Sequence, residues 1–126
     1  MDAEIRNDKD RGKEADRSIN NTTLVNDLRR HLLLLLHQQL NRGLLDTQDV
    51  QIISLSLGLE DGKCLTLKEI GRSMNHSAEY IRLRQHFILQ RKVKHPLFFL
   101  VLEEYSHYTK LPRGISYQLQ LKQDEA

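Results

Sequence analysis

The sequence has few of the residues that disulfide-stabilised, aromatic-rich or membrane-spanning proteins need. Of its 126 residues, one is cysteine (Cys64), none is tryptophan and 6% are aromatic. A single cysteine excludes an internal disulfide framework and fits a reducing compartment. The longest apolar runs, Leu32–Leu36 and Leu97–Leu102, are far shorter than the roughly 18 residues of a membrane span. We therefore expect a cytoplasmic protein with no membrane partner and a core of mainly aliphatic side chains.

The net charge is also small, but it is distributed unevenly along the chain. The formal charge of the whole chain is +2, whereas residues 63–95 carry eight basic and two acidic side chains, a net charge of +6. A basic region of this kind is typical of proteins that bind polyanions. A solvated basic face without a partner is the alternative, and charge alone does not separate the two.

The sequence contains none of the patterns typical of a catalytic, metal or cofactor site. The six histidines include no i, i+4 pair and no accompanying cysteine cluster, which argues against a zinc site. There is no glycine-rich phosphate loop and no GxSxG of the serine hydrolases. We therefore expect no enzymatic activity, no cofactor and no metal ion.

Hydrophobic periodicity predicts an all-α fold. Apolar residues recur at three- and four-residue steps over about residues 22–42, and Gly43 can end this first helix in a left-handed conformation. Asp46 or Thr47 can cap a second helix. Thr66 begins TLKE, a capping box that predicts the start of a third helix.

The segment LTLKEIGRSMNHSAEYIRLRQ (residues 65–85) meets the local requirements of a helix-turn-helix. Gly71 is small where the second helix crosses the first, and Asn75 tolerates a positive φ in the turn. Ser77 can cap the second helix, and Ile81 is apolar where that helix turns towards the core. An ordinary helical hairpin is the alternative.

These patterns divide the chain into three parts. Residues 1–19 mix charges of both signs and predict a disordered tail. A helical domain over residues 20–112 contains the helix-turn-helix at 66–95, and Pro96 is placed to start its last helix. Residues 113–126 form a C-terminal tail, in which the alternation of ISYQLQLKQ leaves a short strand as an alternative.

The leucine run of the first helix predicts a contact outside the domain. Leu32–Leu36 covers more than one helix face, so part of it is free to meet another surface. We therefore consider a homodimer formed through this helix.

The string GLEDGKCLTLKEIGRSMNHSAEYIRLR, followed by His95 and Pro96, resembles the C-terminal region-four domain of bacterial housekeeping sigma factors. In that family a Gly-Leu and Asp-Gly turn precedes a Leu-Thr-Leu-Glu-Glu-Ile-Gly helix and a Ser-Arg-Glu-Arg-Val-Arg-Gln recognition helix. The resemblance covers about residues 45–96. It implies a region-four-like helix-turn-helix, here with an added N-terminal and an added C-terminal helix. It also implies two partners, double-stranded promoter DNA and the flap of the RNA polymerase β subunit.

The resemblance and the basic charge together give the candidate DNA-binding residues. They lie on both helices of the helix-turn-helix and on the segment that follows: Thr66, Lys68, Arg72, Ser77, Glu79, Tyr80, Arg82, Arg84, Arg91, Lys92 and Lys94. The sequence departs from the family at Ala78, Tyr80 and Leu83, which replace two arginines and a glutamine. Arginine to guanine is the commonest base-reading contact in the major groove, so base reading is weakened. One additional residue also separates Ser77 from His95.

Two functions follow from these matches and departures. The first is a sigma-factor-like DNA-binding protein that acts in transcription initiation or its regulation. The alternative is a protein-interaction module that docks on RNA polymerase or on a sigma-related partner without reading DNA sequence.

Overall fold

Over residues 2–125, the structure, a computed structural model, has six α-helices and one π-helical turn. It describes the backbone of residues 2–125 and the side chains of residues 21–125. The elements are α1 (Asp2–Asn41), α2 (Thr47–Leu57), α3 (Leu67–Met74), α4 (Ala78–Phe87), the π turn (Ile88–Lys92), α5 (Pro96–Ser106) and α6 (Arg113–Glu125). Residues 2–125 contain no strand, so the predicted all-α class is confirmed. None of the helices described is both long enough and apolar enough to cross a membrane.

Local signals place the helix ends at the predicted residues. Gly43 follows α1 with a φ of 76°. Asp46 and Thr66 form capping boxes at the starts of α2 and α3. Ser77 caps α4 through its side chain, and Pro96 is the first residue of α5. Each of these starts depends on residues within one helical turn, which is why the sequence was sufficient to predict them.

Helix α1 packs against α2 and α5 and forms one wall of the core. Leu32 and Leu36 are fully buried, whereas Leu34 is 56% exposed. The leucine run therefore does cover more than one face of the helix. The homodimer that this pattern suggests stays a prediction.

Helix α1 also includes residues 2–19, for which the sequence predicts a disordered tail. Helix α1 begins at Asp2, so the backbone of this segment is helical. The helical backbone differs from the predicted disordered tail, and the side chains of residues 2–20 lie outside the described part of the chain.

Tyr105 of α5 connects three helices in the core. Its side chain is fully buried. The hydroxyl donates to the carbonyl of Leu57 over 2.8 Å and accepts a hydrogen bond from Arg29 Nε over 3.1 Å. Phe98 and Leu102 of the same helix are also fully buried, so this face of α5 packs onto the domain.

The prediction of a C-terminal tail or strand over residues 113–126 is wrong, because residues 113–125 form α6. Ile115 and Leu119, four residues apart, are buried, whereas Tyr117 between them is 59% exposed. A spacing of four residues between buried apolar side chains is typical of a helix, so the alternation of apolar and polar residues does not indicate a strand here. Gln90 Nε2 donates to Gln118 Oε1 over 2.8 Å, which holds α6 against the π turn. The domain consequently extends through α6.

A π turn lies between Ser77 and His95, the interval in which the sequence has one residue more than the pattern it resembles. The Val93 amide donates to the Ile88 carbonyl over 2.8 Å, an i to i+5 bond that closes one residue more than an α-helical turn. The wider turn lies after α4. Residues 78–87 therefore keep the regular spacing of an α-helix.

Candidate nucleic-acid interface

Helices α3 and α4 meet through a turn that lies directly on a glycine. Asn75 has φ 60° and ψ 44°, the left-handed conformation that ends α3. The amide of His76 donates to the Gly71 carbonyl over 2.8 Å. A Cβ atom on Gly71 would lie 2.4 Å from the His76 carbonyl oxygen, so only glycine allows this approach. Ile81 of α4 is fully buried, as predicted.

The outer face of α4 combines an ion pair with two exposed apolar side chains. Arg82 Nε donates to Glu79 Oε2 over 3.0 Å. This hydrogen bond lowers the pKa of the Glu79 carboxyl and raises the pKa of the Arg82 guanidinium. Leu83 is 53% exposed and Phe87 is 46% exposed. The outer face therefore offers both charge and apolar surface.

A polar cluster joins the turn to α2. The rings of His76 and Tyr80 stack at a centroid distance of 4.1 Å and an interplanar angle of 20°. The Tyr80 hydroxyl donates to Gln48 Oε1, and Gln48 Nε2 lies 3.0 Å from His76 Nε2. Because an amide nitrogen only donates, His76 Nε2 is the acceptor. Tyr80, a predicted DNA-binding residue, is thus fixed at the surface at the start of α4.

Asp49 of α2 holds two cations that the sequence assigns to DNA. Its side chain is fully buried, and both Nε and Nη2 of Arg84 lie 2.8 Å from its Oδ1. Lys92 Nζ donates to Oδ2 from the π turn. The structure therefore places Arg84 and Lys92 in an internal ion triad, where the single carboxylate already offsets much of their charge.

The protonation of Asp49 reflects this environment. Burial by itself raises the pKa of the carboxyl, but hydrogen bonds from Lys92, from the Asp46 amide and from Arg84 outweigh burial and hold the pKa below its ordinary value. The Asp49 carboxyl is therefore ionised at neutral pH. Asp49 was not among the sequence-predicted site residues, although its burial beside Val50 was foreseeable from the apolar pattern of α2.

Besides Arg82, which pairs with Glu79, four of the predicted residues are exposed cations: Lys68, Arg72, Arg91 and Lys94. None of them forms an ion pair with another side chain among residues 21–125. Outside the Asp49 triad, residues 63–95 retain six basic and two acidic side chains. Residues 63–95 therefore keep an excess of positive charge even when Arg84 and Lys92 are left out of the count.

The side chains of Thr66 and Ser77 cap the starts of α3 and α4. Thr66 Oγ1 accepts from the Glu69 amide over 3.1 Å, and the Thr66 amide donates to Glu69 Oε1 over 3.0 Å. The second bond is the first cause of the lowered pKa of the Glu69 carboxyl. Ser77 Oγ accepts from the Tyr80 amide over 3.0 Å. Both hydroxyls remain exposed and can still donate a hydrogen bond to a phosphate.

The described side chains offer no alternative metal chemistry. Nowhere in residues 21–125 do three or more His, Cys, Asp or Glu side chains come together in a way that could hold a metal ion. Cys64 is half-buried before α3, and burial raises the pKa of its thiol.

Comparisons with protein-family models, with curated proteins and with solved structures give no match. The resemblance to sigma region four therefore stays a prediction that depends on the residues quoted above.

Proposed function

We propose that the chain is a helix-turn-helix DNA-binding protein that acts in transcription initiation or its regulation, with α4 as its recognition helix. The observation that carries this proposal is the joint between α3 and α4. Gly71 lies under the turn, Asn75 supplies the left-handed residue and Ser77 caps α4. These features leave the start and outer face of α4 exposed, as a helix that enters the major groove requires.

The phosphate contacts come from the cations that have no internal partner. Lys68 and Arg72 belong to α3, Arg91 belongs to the π turn, and Lys94 follows that turn. Arg82 can join them, because an exposed ion pair such as the one with Glu79 contributes only about 0–1 kcal/mol and is readily exchanged. Phosphate contacts give affinity and strong salt dependence but carry no sequence information.

Base reading is correspondingly limited. The outer face of α4 presents Leu83, which can contact a thymine methyl group, and Glu79, which can accept from cytosine. Neither interaction replaces a bidentate arginine at Ala78. We therefore propose binding that depends mainly on phosphates and weakly on sequence.

Replacing Arg72 or Arg91 by glutamine is expected to remove one phosphate contact each. Each variant should make the plot of log affinity against log salt less steep by about 0.9, equally for random and promoter-like duplexes. Fluorescence anisotropy with labelled duplex DNA over a NaCl series measures this slope. Arg30→Gln is the matched control, because Arg30 is an exposed arginine on α1, and its slope should equal that of the wild type.

Absence of wild-type binding at low salt would contradict the proposal, as would equal slopes for all the proteins. A double replacement of Arg82 and Arg84 is less suitable, although both are among the sequence-predicted DNA-binding residues. Loss of Arg84 also disrupts the ion pair with Asp49, so reduced binding would be mixed with reduced stability.

The alternative function, a protein-interaction module, is favoured by one observation. Leu83 and Phe87 are four residues apart on the outer face of α4, and both are about half exposed. An apolar strip at this spacing is typical of a helix that packs onto another protein. We propose RNA polymerase or a sigma-related protein as the partner in that case.

A double variant, Leu83→Gln and Phe87→Gln, separates the two functions. If α4 docks on polymerase, polymerase captured by the tagged protein should survive nuclease treatment and fall at least tenfold in the variant. Binding to random duplex DNA should change little. The control replaces Leu34 and Leu44, two other exposed leucines, by glutamine. Capture that nuclease abolishes would contradict docking.

A further inference from the structure

Helix α6 adds a second basic surface beside the proposed recognition helix. A cleft between the start of α6 and the α3–α4 pair is lined by Leu67 of α3, by Arg82 of α4 and by Arg113 and Tyr117 of α6. Two of the eight residues in this cleft are arginines, and no acidic residue lines it. The start of α6 therefore lies next to a predicted DNA-binding residue.

The two α6 side chains are available to a ligand. Arg113 is exposed and forms no ion pair within the described side chains. Tyr117 is 59% exposed, although it lies between the buried residues Ile115 and Leu119. Its hydroxyl forms no hydrogen bond to another described residue, so it can donate one to an anion.

The other end of α6 has the opposite charge. Asp124 and Glu125 share a second cleft with His86 and Arg91. Lys122, also near this end, is already bonded to Glu125 and to the Gln90 carbonyl. Only the start of α6 thus offers unpaired positive charge, and the helix lies along one flank of α4.

The width of the DNA major groove limits what the α6 side of α4 can contact. A helix with its side chains is about 10–12 Å across, and the major groove is about 12 Å wide. When α4 occupies the groove, a second helix packed on its flank does not fit inside. It meets the phosphates at the edge of the groove instead.

We infer that Arg113 and Tyr117 bind a backbone phosphate of duplex DNA at the edge of the groove that α4 occupies. This inference depends on the proposed DNA-binding function. It adds a contact from α6, a helix outside the segment that resembles sigma region four. The contact is independent of base sequence, because phosphates carry none.

The test compares wild type, Arg113→Gln and Tyr117→Phe in duplex DNA binding by anisotropy over a NaCl series. We expect Arg113→Gln to reduce the salt slope by about 0.9, equally for random and promoter-like duplexes. Tyr117→Phe should weaken binding a few-fold with an unchanged slope, because it removes a neutral donor. Duplexes shortened stepwise from each end should reach a length at which wild type and Arg113→Gln bind equally, since the flanking phosphate is then missing. Arg30→Gln is again the control, and circular dichroism verifies that each variant is folded.

The outcomes separate this inference from the function on which it depends. If wild type does not bind duplex DNA, the proposed function fails and the inference fails with it. If wild type binds and Arg72→Gln lowers the slope while Arg113→Gln does not, only the inference is overturned. If poly-glutamate binds in place of DNA and Arg113→Gln abolishes that binding, the cleft belongs to an acidic protein partner and the inference is overturned.

Discussion

Replacing Asp49 by alanine is expected to destabilise the folded protein by about 3 kcal/mol, the lower end of the range for breaking a buried ion pair. Within residues 21–125, the variant removes the only carboxylate that pairs with Lys92 and the nearer of the two that pair with Arg84, which retains Asp46 at 3.6 Å. Both cations are about three-quarters buried, so water replaces the lost partner incompletely. Urea unfolding followed by circular dichroism at neutral pH measures the change.

Two further variants separate the charge of Asp49 from its shape. Asp49→Asn keeps an oxygen that can accept from the Asp46 amide but removes the charge, and its stability should lie between those of the wild type and the alanine variant. Asp27→Ala removes an exposed carboxylate 3.6 Å from Arg30 and should cost less than about 1 kcal/mol. An Asp49→Ala variant as stable as Asp27→Ala would contradict the role assigned to the triad.

The triad also predicts how stability depends on pH. The folded state holds the pKa of Asp49 below its ordinary value, so the folded state binds a proton less readily than the unfolded chain. The stabilisation is therefore complete above the ordinary aspartate pKa of about 3.9 and is lost as the pH falls through the lower, folded-state value. Wild type should lose more stability than Asp49→Asn between pH 6 and pH 2.

The ion triad shows what sequence patterns could not provide. Arg84 and Asp49 are 35 residues apart, and Lys92 and Asp49 are 43 residues apart. Counting charge over residues 63–95 treats all eight basic residues alike, because each appears as an unpaired cation in the sequence. Only the fold, which brings Arg84 of α4 and Lys92 of the π turn to Asp49 of α2, shows which two are paired.

Short-range features of the site were predictable, by contrast. The caps at Thr66 and Ser77 and the left-handed residue Asn75 each depend on residues three or four positions away. Hydrogen bonds of this kind form within one helical turn, so the residue types alone indicate them. The burial of Ile81 followed from the helical period that these caps set.

The orientation of Leu83 needed the structure. One additional residue before His95 left open in the sequence whether Leu83 faces outward or is turned inward. The π turn begins at Ile88, after the outer face of α4 is complete. Leu83 is consequently exposed, where DNA or a partner protein can contact it.

Gly71→Ala is expected to destabilise the protein by about 1–3 kcal/mol, although alanine is ordinarily the better helix former by about 1 kcal/mol. The new Cβ would lie 2.4 Å from the His76 carbonyl oxygen and 3.2 Å from the Ser77 carbonyl carbon. Both atoms belong to the backbone of the turn, so relief requires movement of the turn and of the start of α4. Thermal unfolding measures the loss of stability, and anisotropy measures the accompanying loss of DNA affinity.

Gly114→Ala supplies the matched control for this substitution. Gly114 lies in α6, where a Cβ atom would meet only Gln85 Oε1 at 3.9 Å, an ordinary contact. Alanine favours the helix more than glycine does, and here it brings no steric clash. This variant should therefore be as stable as the wild type or more stable by up to about 1 kcal/mol. Opposite signs for the two glycines would show that the cost at Gly71 comes from the turn and not from the added methyl group. If Gly71→Ala were also stabilising, the close approach of α3 and α4 would be wrong, and with it the joint on which the proposed DNA-binding function depends.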